Sequence, residues 1–232
     1  MMRQMSLSII LLITISTAAW PQNTAEVRLD AVIKIQDQAK DLKTLKQGWS
    51  AYNLGNYEAA LSLWMPLAEM GNPSAQVFIG LMHNQGHAVE QNINNAVKWY
   101  ALASDQGHAP AKWRLAILYY HGSGLTQDYQ KAAELFHSAA KLGDTYSQKA
   151  LGLMYSKGFG VPKNNMLAYS WLDIASSNGF KLASQLQNEI IKQMSPEEAA
   201  EAKSKAEACI NSGYKNCGWE RSSVDEAVKD GP

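Results

Sequence analysis

Gly71, Gly107, Gly143 and Gly179 stand at uniform intervals of 36 residues, and the chain around them repeats as well. A unit of this size is too small to bury its own apolar face, so such a chain is stable only when neighbouring copies stack. The expected fold is all-α, a solenoid of helical hairpins.

Counting from each glycine shows which positions the hairpin dictates. Small residues come four on: Ala75, Ala111, Ser147 and Ala183. Ile79, Leu115 and Leu151 stand eight on, Gly80, Ala116 and Gly152 nine on, and Met82, Leu118 and Met154 eleven on. Gly86, Gly122 and Gly158 close the run fifteen on. These intervals describe one buried face of a first helix of about 13 residues, and the small ninth position lets another helix come close. A second helix then starts at Asn92, Asp128 and Asn164, side chains suited to an N-cap. It carries Ala96, Ala132 and Ala168, then Trp99/Tyr100, Leu135/Phe136 and Trp171/Leu172. Loops such as Gly158-Phe159-Gly160-Val161-Pro162 block helix continuation. The unit ending at Gly71 is compressed: its first helix, Asp41 to Leu54, meets Asn56 through a loop about five residues shorter than its counterparts.

The ends differ from the repeats. Residues 1–19 read as a secretory signal: Arg3, an apolar run from Leu7 to Ile15, and the small residues Ser16-Thr17-Ala18-Ala19. The run is shorter than a bilayer requires, so the expectation is an exported protein, periplasmic or secreted, without a stable membrane span after cleavage. Residues 25–47 form an expected N-terminal capping helix, with Val32, Ile35, Ala39 and Leu42 on one side, and residues 48–180 hold the repeats. Residues 181–219 hold C-terminal capping helices, the last opened by Ser195-Pro196-Glu197-Glu198, and residues 220–232 a disordered tail. Cys209 and Cys217 are the only cysteines. In an oxidising compartment they are expected to pair as a structural disulfide, because their spacing lacks the C-x-x-C of redox centres. With 21 basic and 21 acidic residues the formal charge is zero, which leaves no footprint for nucleic acid.

Ser147…Leu151-Gly152…Tyr155…Gly158…Gly160-Val161 resembles the repeat of the Sel-one-like repeat (SLR) family, relatives of the tetratricopeptide repeat. Gly55-Asn56-Tyr57-Glu58-Ala59-Ala60…Pro66-Leu67-Ala68-Glu69…Gly71 resembles the tetratricopeptide-flavoured first unit found in such proteins. The resemblance covers about Gly48 to Phe180. It implies a right-handed α-α superhelix that serves as an adaptor for protein complexes, often exported in bacteria. One unit departs from the pattern: Gly86-His87-Ala88-Val89 lacks the second loop glycine.

In superhelices of this type the first helices line the concave wall. Taking 100° per residue, the side of each first helix opposite its core positions carries Val77, Leu81 and Asn84 in one unit, Trp113, Ile117 and Tyr120 in the next, and Lys149, Leu153 and Ser156 in the third. A face expected to be polar is thus apolar in its middle, with Arg114 beside it to bond a carboxylate. These residues are the expected binding surface for a protein or peptide. Packing of the same side chains within the stack is the competing expectation. No catalytic residue, metal ligand set or cofactor site is expected: His83 and His87 are separated by Gly86, the other histidines are isolated, and no G-x-S-x-G, H-E-x-x-H or phosphate-cradling glycine motif occurs. An envelope enzyme or peptidoglycan-associated binder is the alternative, requiring polar residues gathered from distant positions.

Overall fold

The computed structural model describes residues 23–214, with side-chain placement from residue 32. The described residues form ten α-helices and no strand: α1 (Asn23–Asn53), α2 (Tyr57–Glu69), α3 (Pro73–Gln85), α4 (Ile93–Asp105), α5 (Ala109–His121), α6 (Tyr129–Lys141), α7 (Thr145–Lys157), α8 (Asn165–Ser177), α9 (Ala183–Ile191) and α10 (Pro196–Asn211). The expected signal segment, Cys217 and the C-terminal tail lie outside them.

The chain divides into two units, residues 1–46 and 47–232. Helix α1 runs unbroken across this boundary, where the sequence suggests a capping helix followed by a separate one. In the first unit Val32, Ile33, Ile35 and Leu42 are exposed on it.

Within the second unit the repeat makes hairpins. Helices α3/α4, α5/α6 and α7/α8 pair, each second helix also packs on the next unit's first helix, and α9 and α10 both pack on α8. The expected N-caps form: Asn92 Oδ1 accepts from Asn95 N at 3.0 Å, Asp128 Oδ1 from Lys131 N at 2.8 Å, and Asn164 Oδ1 from Leu167 N at 3.0 Å. Gly86, Gly122 and Gly158 end the first helices in the left-handed conformation. The sealing helix α10 carries the reciprocal capping box, Glu198 N donating to Ser195 Oγ and Ser195 N to Glu198 Oε2. Ser170 Oγ of α8 donates to Ala202 O of α10 at 2.8 Å, tying the cap to the stack.

One packing device recurs in every unit. The second helix presents Trp64, Tyr100, Phe136 and Leu172 at intervals of 36, all buried, against Gly48, Gly80, Ala116 and Gly152 of the first helix. A Cβ on Gly48 would lie 2.2 Å from Trp64 Nε1, and one on Gly152 2.6 Å from Leu172 Cγ. Gly48 is four residues nearer to Trp64 than Gly80 is to Tyr100, so the compressed unit keeps the contact with a loop shortened by four. The departing loop also keeps its shape. Ala88 takes φ +55°, the left-handed conformation that Gly124 and Gly160 take at +69° and +66°.

Candidate functional site

Helices α3, α5 and α7 form one layer of the second unit, and α3 also touches α5 directly. From α5 a strip of side chains runs along this layer into the third unit. Trp113 meets Tyr146 of α7 with ring centroids 5.4 Å apart, and Tyr146 meets Phe180 edge-on at 6.0 Å. Arg114 places its guanidinium 5.4 Å from the Trp113 ring and 5.8 Å from that of Tyr100, and Lys149 Nζ lies 5.4 Å from the Phe180 ring. Tyr146 is 57% exposed, the most open member; Trp113, Arg114, Lys149 and Phe180 are half-buried.

Arg114 also borders the buried side of the wall. The Tyr100 hydroxyl is buried, with the Arg114 guanidinium close enough to act on it but no partner at full hydrogen-bond geometry. Burial pushes its phenol up to about 12, against the opposing pull of the Arg114 guanidinium. The Tyr52 phenol is raised by burial and by Tyr57, with Arg114 again opposing.

The other expected site residues separate into different places. Tyr120, near the far end of α5, belongs to a second aromatic group, with Tyr129 at 5.1 Å, His121 at 5.1 Å and Phe159 at 6.3 Å. Burial and Tyr129 raise its phenol. Ile117 is half-buried against the core formed by α6, α7 and α8. Leu153 is half-buried on α7. Val77 and Leu81, expected on the open face, are instead buried, at 4% and 6% exposure. Val77 packs with Tyr100 of its own unit and Ala111 and Leu115 of the next, so both sides of it are covered. Tyr146 and Phe180 were absent from the expectation, because the strip crosses a unit boundary that a single-helix projection ignores.

The histidines are engaged in local packing. His87 stacks on Tyr57 at 3.9 Å and places Nδ1 3.0 Å from the Tyr52 hydroxyl, which also bonds Gln85 Oε1. The pair Tyr129–Phe159, 72 residues on, repeats this stack at 5.1 Å. His108 Nε2 lies 3.2 Å from Ser74 Oγ, but its buried Nδ1 has no partner, so no carboxylate orients the ring as a nucleophile's base requires. Burial lowers its pKa. Cys209 is fully buried in α10. Among the described residues no helix is long and apolar enough to cross a membrane.

Residues 73–108, 109–144 and 145–180 each match the Sel1 repeat family, and these spans are the three hairpins α3–α4, α5–α6 and α7–α8. No curated protein matches the chain significantly. Among solved structures, a Sel1 repeat protein from Oxalobacter formigenes is 29% identical with a TM-score of 0.57, over 60% of this chain and 57% of its own. The protein c5321, described as a protective antigen present in uropathogenic Escherichia coli strains displaying an SLR fold, is 21% identical with a TM-score of 0.54, over 77% of this chain and 48% of its own. At that identity the second likeness is one of fold. The chain spans about half the length of either structure. It carries three Sel1 repeats, units that commonly build protein-interaction scaffolds and are generally without catalysis.

Proposed function

We propose that this Sel1-repeat protein is an exported, non-catalytic scaffold that holds a protein or peptide against the wall formed by α3, α5 and α7. Export, to the periplasm or beyond, rests on the leader-like first 19 residues. The observation that carries the binding surface is the Trp113–Tyr146–Phe180 strip, three aromatic rings in contact along one wall and open to solvent at Tyr146. Aromatic side chains with arginine beside them are the residues that most often anchor interfaces. A stack of packed hairpins holds them in place before the partner arrives, so little ordering entropy remains to be lost on binding.

The test is affinity capture from the exported fraction with the full chain as bait. Trp113→Ala combined with Tyr146→Ala should remove the captured partner while leaving the melting temperature nearly unchanged. Undiminished capture by the folded double variant contradicts the assignment.

A further inference from the structure

The aromatic strip ends in a cation at each side. Arg114 stands over Trp113, Lys149 over Phe180, and Tyr146 joins the two rings between them. Among the described residues neither cation has a carboxylate partner, whereas Lys131 and Lys205 pair with Glu134 and Glu201 elsewhere. The imbalance extends to the whole wall. Helices α3, α5 and α7 contain Lys112, Arg114, Lys149 and Lys157 and no aspartate or glutamate. The second helices lean the other way, with Glu58, Glu69, Asp105, Glu134 and Asp173 against three lysines. A chain of zero net charge thus has only cations within the helices that carry its half-open aromatics, the one carboxylate beside them, Asp144, being taken up as the N-cap that accepts from Ser147 N.

We infer that the partner is an extended peptide segment with two carboxylates flanking an apolar stretch, laid along Arg114, Trp113, Tyr146, Phe180 and Lys149. The inference rests on the preceding assignment of this wall as the binding surface and adds the chemistry of what it holds. Each cation is half-buried and braced by a ring, so a carboxylate reaching it forms a charge-assisted bond with less rearrangement than at a free surface lysine. The rings between them accept apolar side chains. Steps of 5.4 to 6.0 Å separate successive members of the strip. Laid end to end these four steps reach about 22 Å, so at roughly 3.3 Å per residue of extended chain the two carboxylates stand up to about seven residues apart. Two braced cations are too few for the phosphate track of a nucleic acid, which neutralises many charges along its backbone.

The experiment incubates the full chain with two pooled sets of short peptides. One set carries glutamates spaced up to about seven residues apart around varied apolar residues; the other has glutamine in their place. Retained peptides are counted by mass spectrometry for the wild type, Arg114→Gln/Lys149→Gln and Trp113→Ala, each checked for helical content. The expected result is that the wild type retains the glutamate set about tenfold over the glutamine set, that the preference disappears at high salt and in Arg114→Gln/Lys149→Gln, and that Trp113→Ala retains neither set. Equal retention of both sets, lost in Trp113→Ala, overturns the acidic partner and leaves the binding wall standing. Retention of neither set by the wild type overturns the acidic peptide as well, while capture from the exported fraction tests the wall separately. A glutamate preference unchanged in both variants places binding elsewhere and overturns the strip. Tighter binding of an oligothymidine than of either set overturns the peptide in favour of a nucleic acid.

Discussion

A Cβ on Gly80 would lie 2.5 Å from Cε1 of Tyr100, inside the ring that packs across from it. The ring fills the space that the glycine leaves, and the same pairing of second helix on first recurs at Trp64 and Gly48 and at Leu172 and Gly152. Overpacking such a contact costs typically about 1–3 kcal/mol. Gly80→Val should therefore lower stability to urea by about that amount. The exposed Leu102→Ala on the same hairpin should leave it almost unchanged.

Ala88 makes the opposite case. It holds φ +55° where the equivalent residues of the next two loops are Gly124 and Gly160. A side chain in the left-handed region costs roughly 1–2 kcal/mol, partly offset because glycine loses more entropy on folding. Ala88→Gly is expected to raise stability by about 0.5–1 kcal/mol in denaturant titration. A loss would show that the alanine makes a compensating contact.

His108 stands where Asn72 and Asp144 cap the neighbouring first helices, and it makes no side-chain capping bond. Its buried Nδ1 has no acceptor, and burial depresses its pKa below the ordinary 6.5. The unfolded chain therefore takes up a proton first as pH falls. The stability that the neutral ring contributes is complete above pH about 6.5 and declines below it toward the folded pKa. Denaturation midpoints measured from neutral to mildly acidic pH should fall more steeply for the wild type than for His108→Asn. At neutral pH the asparagine variant should equal or exceed the wild type, since it restores a cap worth about 1 kcal/mol. Parallel pH profiles would remove His108 as the cause.

Tyr120 and Trp113 lie on the same helix and should behave differently. Tyr120 packs edge-on against Tyr129 within its own hairpin. Tyr120→Ala should cost about 1–2 kcal/mol in thermal unfolding. Trp113→Ala should act mainly on partner capture.

The fold was legible because helical spacing, caps and glycines are local signals. Asn92, Asp128 and Asn164 cap where the repeat places them, and Ser195 with Glu198 closes its box. Of the proposed binding wall, Trp113, Arg114 and Lys149 were legible in the sequence. A helical projection orders residues around one axis and knows nothing of neighbours, so it left Val77 and Leu81 exposed although both are buried, Val77 in a cluster that takes in the next unit's Ala111 and Leu115. It also missed Tyr146 and Phe180, which join Trp113 only when folding brings the start of α7 and the turn after α8 up to it. Their sole local signal is an aromatic residue beside each helix start. The departure at Ala88 altered the sequence without altering the turn, because the surrounding loop imposes the left-handed conformation.

The paired cysteines remain a proposal with a direct check. Cys209 is buried in α10, and Cys217 lies outside the described residues. Exported protein, denatured without reductant, should take up no thiol-reactive dye. A bridge across so short a loop contributes about 2–3 kcal/mol in the chain-entropy account, so reduction should lower the unfolding midpoint. Two labelled thiols per chain in unreduced protein would contradict it.

Site-specific photocrosslinking in intact cells tests the central claim most directly. One copy carries the crosslinker at Tyr146 on the wall, and another carries it at Leu102, which is exposed on the second helix α4. Binding on the wall predicts a discrete adduct from position 146 that Trp113→Ala abolishes, and none from position 102. An adduct from position 102 alone, or one from position 146 that survives Trp113→Ala, would contradict it.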